Sequence, residues 1–92
     1  MMFYVVSYDI PDDRRRTEVH DTLKNYGTRV QYSVFECDLE PALLRELQAR
    51  LTALVVPKED NLRYYRLCRD CLEQTVVVGQ RPLTADPDYW IV

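Results

Sequence analysis

One carboxylate stands out by its setting. Asp9 directly follows the strand-like run Met2-Phe3-Tyr4-Val5-Val6-Ser7-Tyr8 and precedes Ile10-Pro11-Asp12-Asp13, which reads as a helix start. A carboxylate at the rigid end of a strand is a common seat for a hard metal ligand, because the backbone aims it outward. The plain alternative is a turn cap, with the side chain accepting a backbone N–H. Alone, one carboxylate makes a poor Mg2+ site, since that ion wants an octahedral oxygen shell of one or two carboxylates, waters and phosphate oxygens. If two copies of the chain meet about an axis near this strand end, two Asp9 side chains face each other. A divalent cation then relieves their repulsion and can generate hydroxide for attack on a phosphodiester. Such chemistry depends on dimerisation.

Arg14, Arg15 and Arg16 come next, in the first turn of the helix, and are candidates for phosphate contact. The competing reading is a solvated helix face with pairs such as Arg14–Glu18. Positive charge at a helix N-terminus is mildly unfavourable, which hints at a reason for it. Arg29 is a second phosphate candidate. Tyr4, Tyr8, Tyr26, Tyr32, Phe35, Tyr64 and Tyr65 offer stacking surfaces for bases, although most aromatics in so short a chain belong to core and interface. Cys68-Arg69-Asp70-Cys71 is a single CxxC. Zinc needs four ligands, and Cys37 and His20 are the only other soft ones, both distant in sequence. A redox CxxC opens a helix after a strand, an order this stretch does not announce, so buried thiols are the expectation. His20 reads as structural. There is no glycine-rich phosphate loop.

The elements that must hold these groups follow from periodicity. With 92 residues, one domain is expected. Apolar residues make up 47% of the chain and charged residues 29%, the composition of a globular domain. Residues 2 to 8 form a strand covered on both faces. A helix follows, capped by Asp12, carrying Val19, Leu23 and Tyr26 on one stripe and ended by Gly27 at the position after its cap. Residues 28 to 37 are β structure, either one strand or a hairpin that turns near Tyr32-Ser33. A second helix spans 41 to 55, opened by Pro41, with Leu43, Leu44, Leu47, Leu51 and Leu54 on its buried face. Residues 62 to 68 form a strand, and Thr75-Val76-Val77-Val78 a further short one before Gly79. The order matches a split βαβ arrangement if 28 to 37 is a hairpin, with both helices on one face of an antiparallel sheet. The domain is expected over residues 1 to 79. Residues 80 to 92 read as an irregular arm ending in Tyr89-Trp90-Ile91-Val92, an apolar edge strand laid on a sheet of the same subunit or, preferably, of a second copy.

Partners and location are bounded by charge and cysteine content. No stretch approaches a membrane span, and three cysteines without an export signal suit a reducing compartment, hence the cytoplasm. The net charge of -3 is not that of a general polyanion binder, so any nucleic-acid contact must be local.

Tyr8-Asp9-Ile10, Asp12-Asp13-Arg14 and the block Gly27-Thr28-Arg29-Val30-Gln31-Tyr32-Ser33-Val34-Phe35-Glu36 together resemble the CRISPR-associated endoribonuclease family, the smaller of the two universal spacer-adaptation proteins. The resemblance runs along essentially the whole chain. It implies an α+β, ferredoxin-like βαββαβ sandwich with an additional short C-terminal strand, forming a homodimer. It further implies that Asp9 binds Mg2+ between subunits and is catalytic, with Arg16, Arg29, Ser33 and Phe35 around the cleft and Tyr8 in its support. The implied activity is cleavage of single-stranded RNA, double-stranded DNA or both, in spacer acquisition with the CRISPR integrase. The alternative is a non-catalytic adaptor that bridges integrase dimers and holds spacer DNA.

Overall fold

The computed structural model describes residues 2–79 and residue 83. Seven elements follow one another: β1 (Met2–Asp9), α1 (Asp13–Leu23), β2 (Thr28–Gln31), β3 (Val34–Leu39), α2 (Pro41–Leu54), β4 (Asn61–Leu67) and α3 (Arg69–Glu73). The four strands form one sheet in the order β2-β3-β1-β4 with every neighbour antiparallel. That is the α+β ferredoxin-like split βαβ arrangement, and the 28–37 segment is indeed a hairpin. It turns at Tyr32-Ser33 and carries an irregularity between Arg29 and Gln31.

Strand alternation divides the sheet into two unequal faces. Val6 and Tyr8 of β1, Phe35, Cys37 and Leu39 of β3, and Leu62 and Tyr64 of β4 join Val19 and Leu23 of α1 and Leu44, Leu47 and Leu51 of α2 in the main core. Phe3 points the other way and is fully buried with Leu72 of α3, flanked by Val5, Leu67 and Leu83. Leu83 is therefore the described foothold of the C-terminal arm. The rest of that arm and the Tyr89–Val92 tail lie outside the described residues.

Local rules explain the helix ends. Asp12 caps α1, its carboxylate accepting the Arg15 N–H at 2.9 Å. Gly27 lies beyond the helix end, and its N–H donates to the Leu23 carbonyl at 3.0 Å. Its φ is not positive. A Cβ there would collide with the Cys37 Sγ and the Glu36 carbonyl oxygen, so close approach to β3, rather than left-handed backbone, is what requires glycine. Tyr26 packs on the core from the turn beyond α1. Pro41 opens α2, and an extended Val55 closes it.

Two expectations are corrected, and one short helix is added. Leu43 is 43% exposed, because Leu44, Leu47 and Leu51 define the buried stripe and Leu43 stands about 100° round the helix from Leu44. Residues 69–73, following β4, form the helix α3, whose Leu72 seals Phe3. Thr75–Val78 is not a strand: it pairs with neither sheet edge, and Val76 and Val78 are 81% and 95% exposed. β-branched residues favour strands by fitting a pleated, half-covered surface, and this segment lies exposed instead of on one. Among the described residues, no helix is long and apolar enough to cross a membrane.

Candidate active site

Asp9 ends β1 on the face opposite α1 and α2, exposed, and in register with Asn61 of β4. The helix start is capped by Asp12, and the Asp9 carboxylate lies exposed to solvent. The same register sets Ser7 beside Arg63 and Val5 beside Tyr65. Ser7, Tyr8, Asp9, Asn61, Arg63 and Tyr65 line an open pocket of about 230 Å3. Within it, the Arg63 guanidinium donates from Nε to the Asn61 Oδ1 (3.2 Å) and from Nη1 to the Tyr65 hydroxyl (3.1 Å). The hydrogen bond to the Tyr65 hydroxyl raises the Arg63 pKa further. A carboxylate thus faces outward beside a fixed cation, the pairing a phosphodiester calls for: one group to recruit a metal ion and one to meet phosphate oxygen.

Behind this strand end, on the helix side, lies an aromatic support. Tyr8 is buried and stacks on Phe35 with ring centroids 6.4 Å apart, while His20 meets Phe35 edge-on at 5.4 Å. The Tyr8 hydroxyl lies 3.4 Å from the His20 Nδ1. Burial pushes the Tyr8 pKa up and nearby Tyr32 adds to it, while Arg29 and Arg16 pull it down. Ser33 contributes its backbone carbonyl, which accepts the Tyr8 N–H at 3.1 Å. Arg16 donates to the Ile10 carbonyl at 3.0 Å and pairs with Asp13, so it clamps the loop that leaves Asp9.

The remaining arginines separate. Arg14 is 88% exposed and pairs with Glu18 at 3.3 Å, as the solvated-face reading has it. Arg15 instead joins two elements. Its Nε and Nη2 donate to Asp60 at 2.9 and 3.1 Å, and Asp60 also accepts the Val56 N–H at 2.8 Å. The Asp60 side chain is 1% exposed, and the Arg15 hydrogen bond, then the Val56 N–H, hold its carboxyl below the usual range. Arg29 is exposed on β2, close enough for Tyr8 to feel its charge.

Sequence reasoning missed Asn61 and Arg63, and named Tyr65 only as one of seven aromatics that could stack on bases. The signal was the alternation of Asn61-Leu62-Arg63-Tyr64-Tyr65, which puts the odd positions on one face; their proximity to Asp9 needs the β1–β4 register. The thiols are corrected in part. Cys37 is buried and its pKa is pushed up to about 12 by burial, but Cys68 and Cys71 are exposed. Among the described residues no three His, Cys, Asp or Glu side chains gather as a metal cluster. One subunit supplies one outward carboxylate here, which fits Mg2+ only as part of a shell completed by water, phosphate or a second chain.

A family model, described as CRISPR associated protein Cas2, matches residues 2–75. The chain is 50% identical to a Synechocystis protein named CRISPR-associated endoribonuclease Cas2 3, with all of both chains covered. Its fold matches that of Streptococcus pyogenes Cas2 with a TM-score of 0.73 at 32% identity, covering 85% of this chain and 100% of that one. It also matches a chain of a partial Cas6-RT-Cas1–Cas2 complex with a TM-score of 0.79 at 28% identity, covering 95% of each. The YDI strand end, the hairpin block, the split βαβ topology and these matches all agree: the chain belongs to the CRISPR-associated Cas2 family.

Proposed function

We propose that this protein is a Mg2+-dependent endoribonuclease of CRISPR adaptation, working as a homodimer in the cytoplasm. The observation that carries the reading is the outward Asp9 carboxylate beside the Arg63–Asn61–Tyr65 network on a sheet face that α1 and α2 leave open. Single-stranded RNA is the primary substrate, in keeping with the names of the relatives, and duplex DNA is a second one. Residues 1–79 form the catalytic domain.

In the dimer, the Asp9 carboxylates of the two subunits would hold Mg2+, which would supply an activated water and offset charge on the phosphate. Arg63 binds a non-bridging phosphate oxygen, with Asn61 and Tyr65 fixing the plane of its guanidinium. Arg16 keeps the loop after Asp9 in place through the Ile10 carbonyl, and the Tyr8–Phe35 stack holds the strand end rigid from behind. Arg29, exposed on β2, contacts the nucleic-acid backbone further out. The partner is the CRISPR integrase, a proposal supported by the likeness to a chain solved in a complex with Cas1.

Cleavage of labelled single-stranded RNA and duplex DNA, with Mg2+ or a chelator, tests the reading. Wild type should cut RNA only with Mg2+, and Asp9→Ala should lose at least about a hundredfold in rate while staying folded and dimeric. Full cleavage by Asp9→Ala would overturn the catalytic assignment and leave the adaptor role.

A further inference from the structure

Away from the Asp9 face, two cysteines stand together at the junction of β4 and α3. Cys68 follows Leu67 directly, and Cys71 lies within α3. Their sulfurs are 3.4 Å apart, in van der Waals contact, and both side chains are exposed. Leu72, next to Cys71, is fully buried against Phe3, so α3 is anchored and the two thiols are held together. Cys37 is sealed in the main core on the other side of the sheet and takes no part.

We propose that Cys68 and Cys71 are a redox-active dithiol that closes reversibly into an intrachain disulfide by exchange with a low-molecular-weight disulfide. A zinc site is the other use of a CxxC, but tetrahedral closure needs four ligands and the described residues around this pair bring no third. Their surroundings also assign the roles. The Cys71 backbone N–H, then its thiol, set against the Cys68 sulfur, lower the Cys68 pKa, and the same thiol contact raises that of Cys71. Cys68 is therefore the attacking sulfur and Cys71 the resolving one.

The exchange balances in two steps. The Cys68 thiolate attacks one sulfur of the external disulfide, forming a mixed disulfide and expelling one thiolate. Cys71 then gives its proton to solvent and attacks the Cys68 sulfur, expelling the second thiolate. Two protein thiols are oxidised to one disulfide, and one external disulfide is reduced to two thiols. The bridge would fasten the first turn of α3, and so Leu72, to the end of β4, holding the cover on the Phe3–Val5–Leu67–Leu83 cluster.

The test is oxidation of the purified full-length protein with oxidised glutathione, followed by acid quench, alkylation and peptide mass spectrometry. Wild type should yield one peptide bridged between Cys68 and Cys71, reopened by dithiothreitol, with Cys37 alkylated only after denaturation. Cys71→Ser, at an exposed position, should stop at a glutathione adduct on Cys68. The proposal falls if wild type keeps both thiols free, retains a stable glutathione adduct, or links Cys68 of one chain to another chain. None of these outcomes bears on the cleavage assay above.

Discussion

At the scale of single residues, neighbours decide what a charged side chain does. Three adjacent arginines with one sequence signature have three fates: Arg14 in solvent with Glu18, Arg15 in a tether to buried Asp60, Arg16 on the Ile10 carbonyl. The cation that does stand beside Asp9 is Arg63, more than fifty positions away in the chain and adjacent only through the β1–β4 register. If Arg63 meets phosphate, Arg63→Ala should weaken single-stranded RNA binding and reduce the slope of log K against log salt by about 0.7, as expected for one lost phosphate contact. Fluorescence anisotropy across a salt series measures it; an unchanged slope would remove Arg63 from the substrate path. Asp9, Tyr8 and Phe35 were legible from sequence because the strand end and hairpin block mark them. The Asn61–Arg63–Tyr65 row was not, because alternation fixes a face but not a neighbour.

Elements are held by contacts that local propensity does not reveal. Gly27 reads from sequence as a helix-ending glycine, yet what it provides is room for β3 to pass. Gly27→Ala should therefore destabilise by about 1–3 kcal/mol through overpacking against Cys37 and Glu36, measured by denaturant unfolding. A neutral change would mean that β3 can retreat. The Arg15–Asp60 tether between α1 and the α2–β4 connection is equally invisible to periodicity, since it spans 45 positions. Its pH dependence has a definite sign. Asp60 titrates lower folded than unfolded, so its contribution is full above about pH 4 and disappears as pH falls through the depressed folded value. Wild type should thus lose more stability than Asp60→Asn between about pH 5 and pH 2 in parallel thermal melts. Parallel acid limbs would contradict the tether. Thr75–Val78 shows the converse: strong β propensity that pairs with neither edge of the sheet leaves the segment irregular and exposed.

The molecule as a whole carries a mixed sheet face, sealed at one end by α3 over Phe3 and open at the other around Asp9. Half-exposed Tyr65 and exposed Val76 to Val78 are among the large apolar side chains that the described fold leaves open. The ferredoxin-like order was recoverable from the two amphipathic helices and the alternating strands, because those patterns need only their own segment. Pairing between subunits leaves no such local trace. With a net charge of -3, the chain as a whole repels RNA, so the proposed reading places attraction in local arginines and a shared cation. Two Asp9 carboxylates sharing that cation is the claim on which the chemistry rests. Calorimetric titration of the dimer with Mn2+, a close stand-in for Mg2+, tests it most directly. The account predicts one ion bound per two chains, with that binding lost in Asp9→Asn; one ion per chain, or binding that survives the substitution, would contradict it.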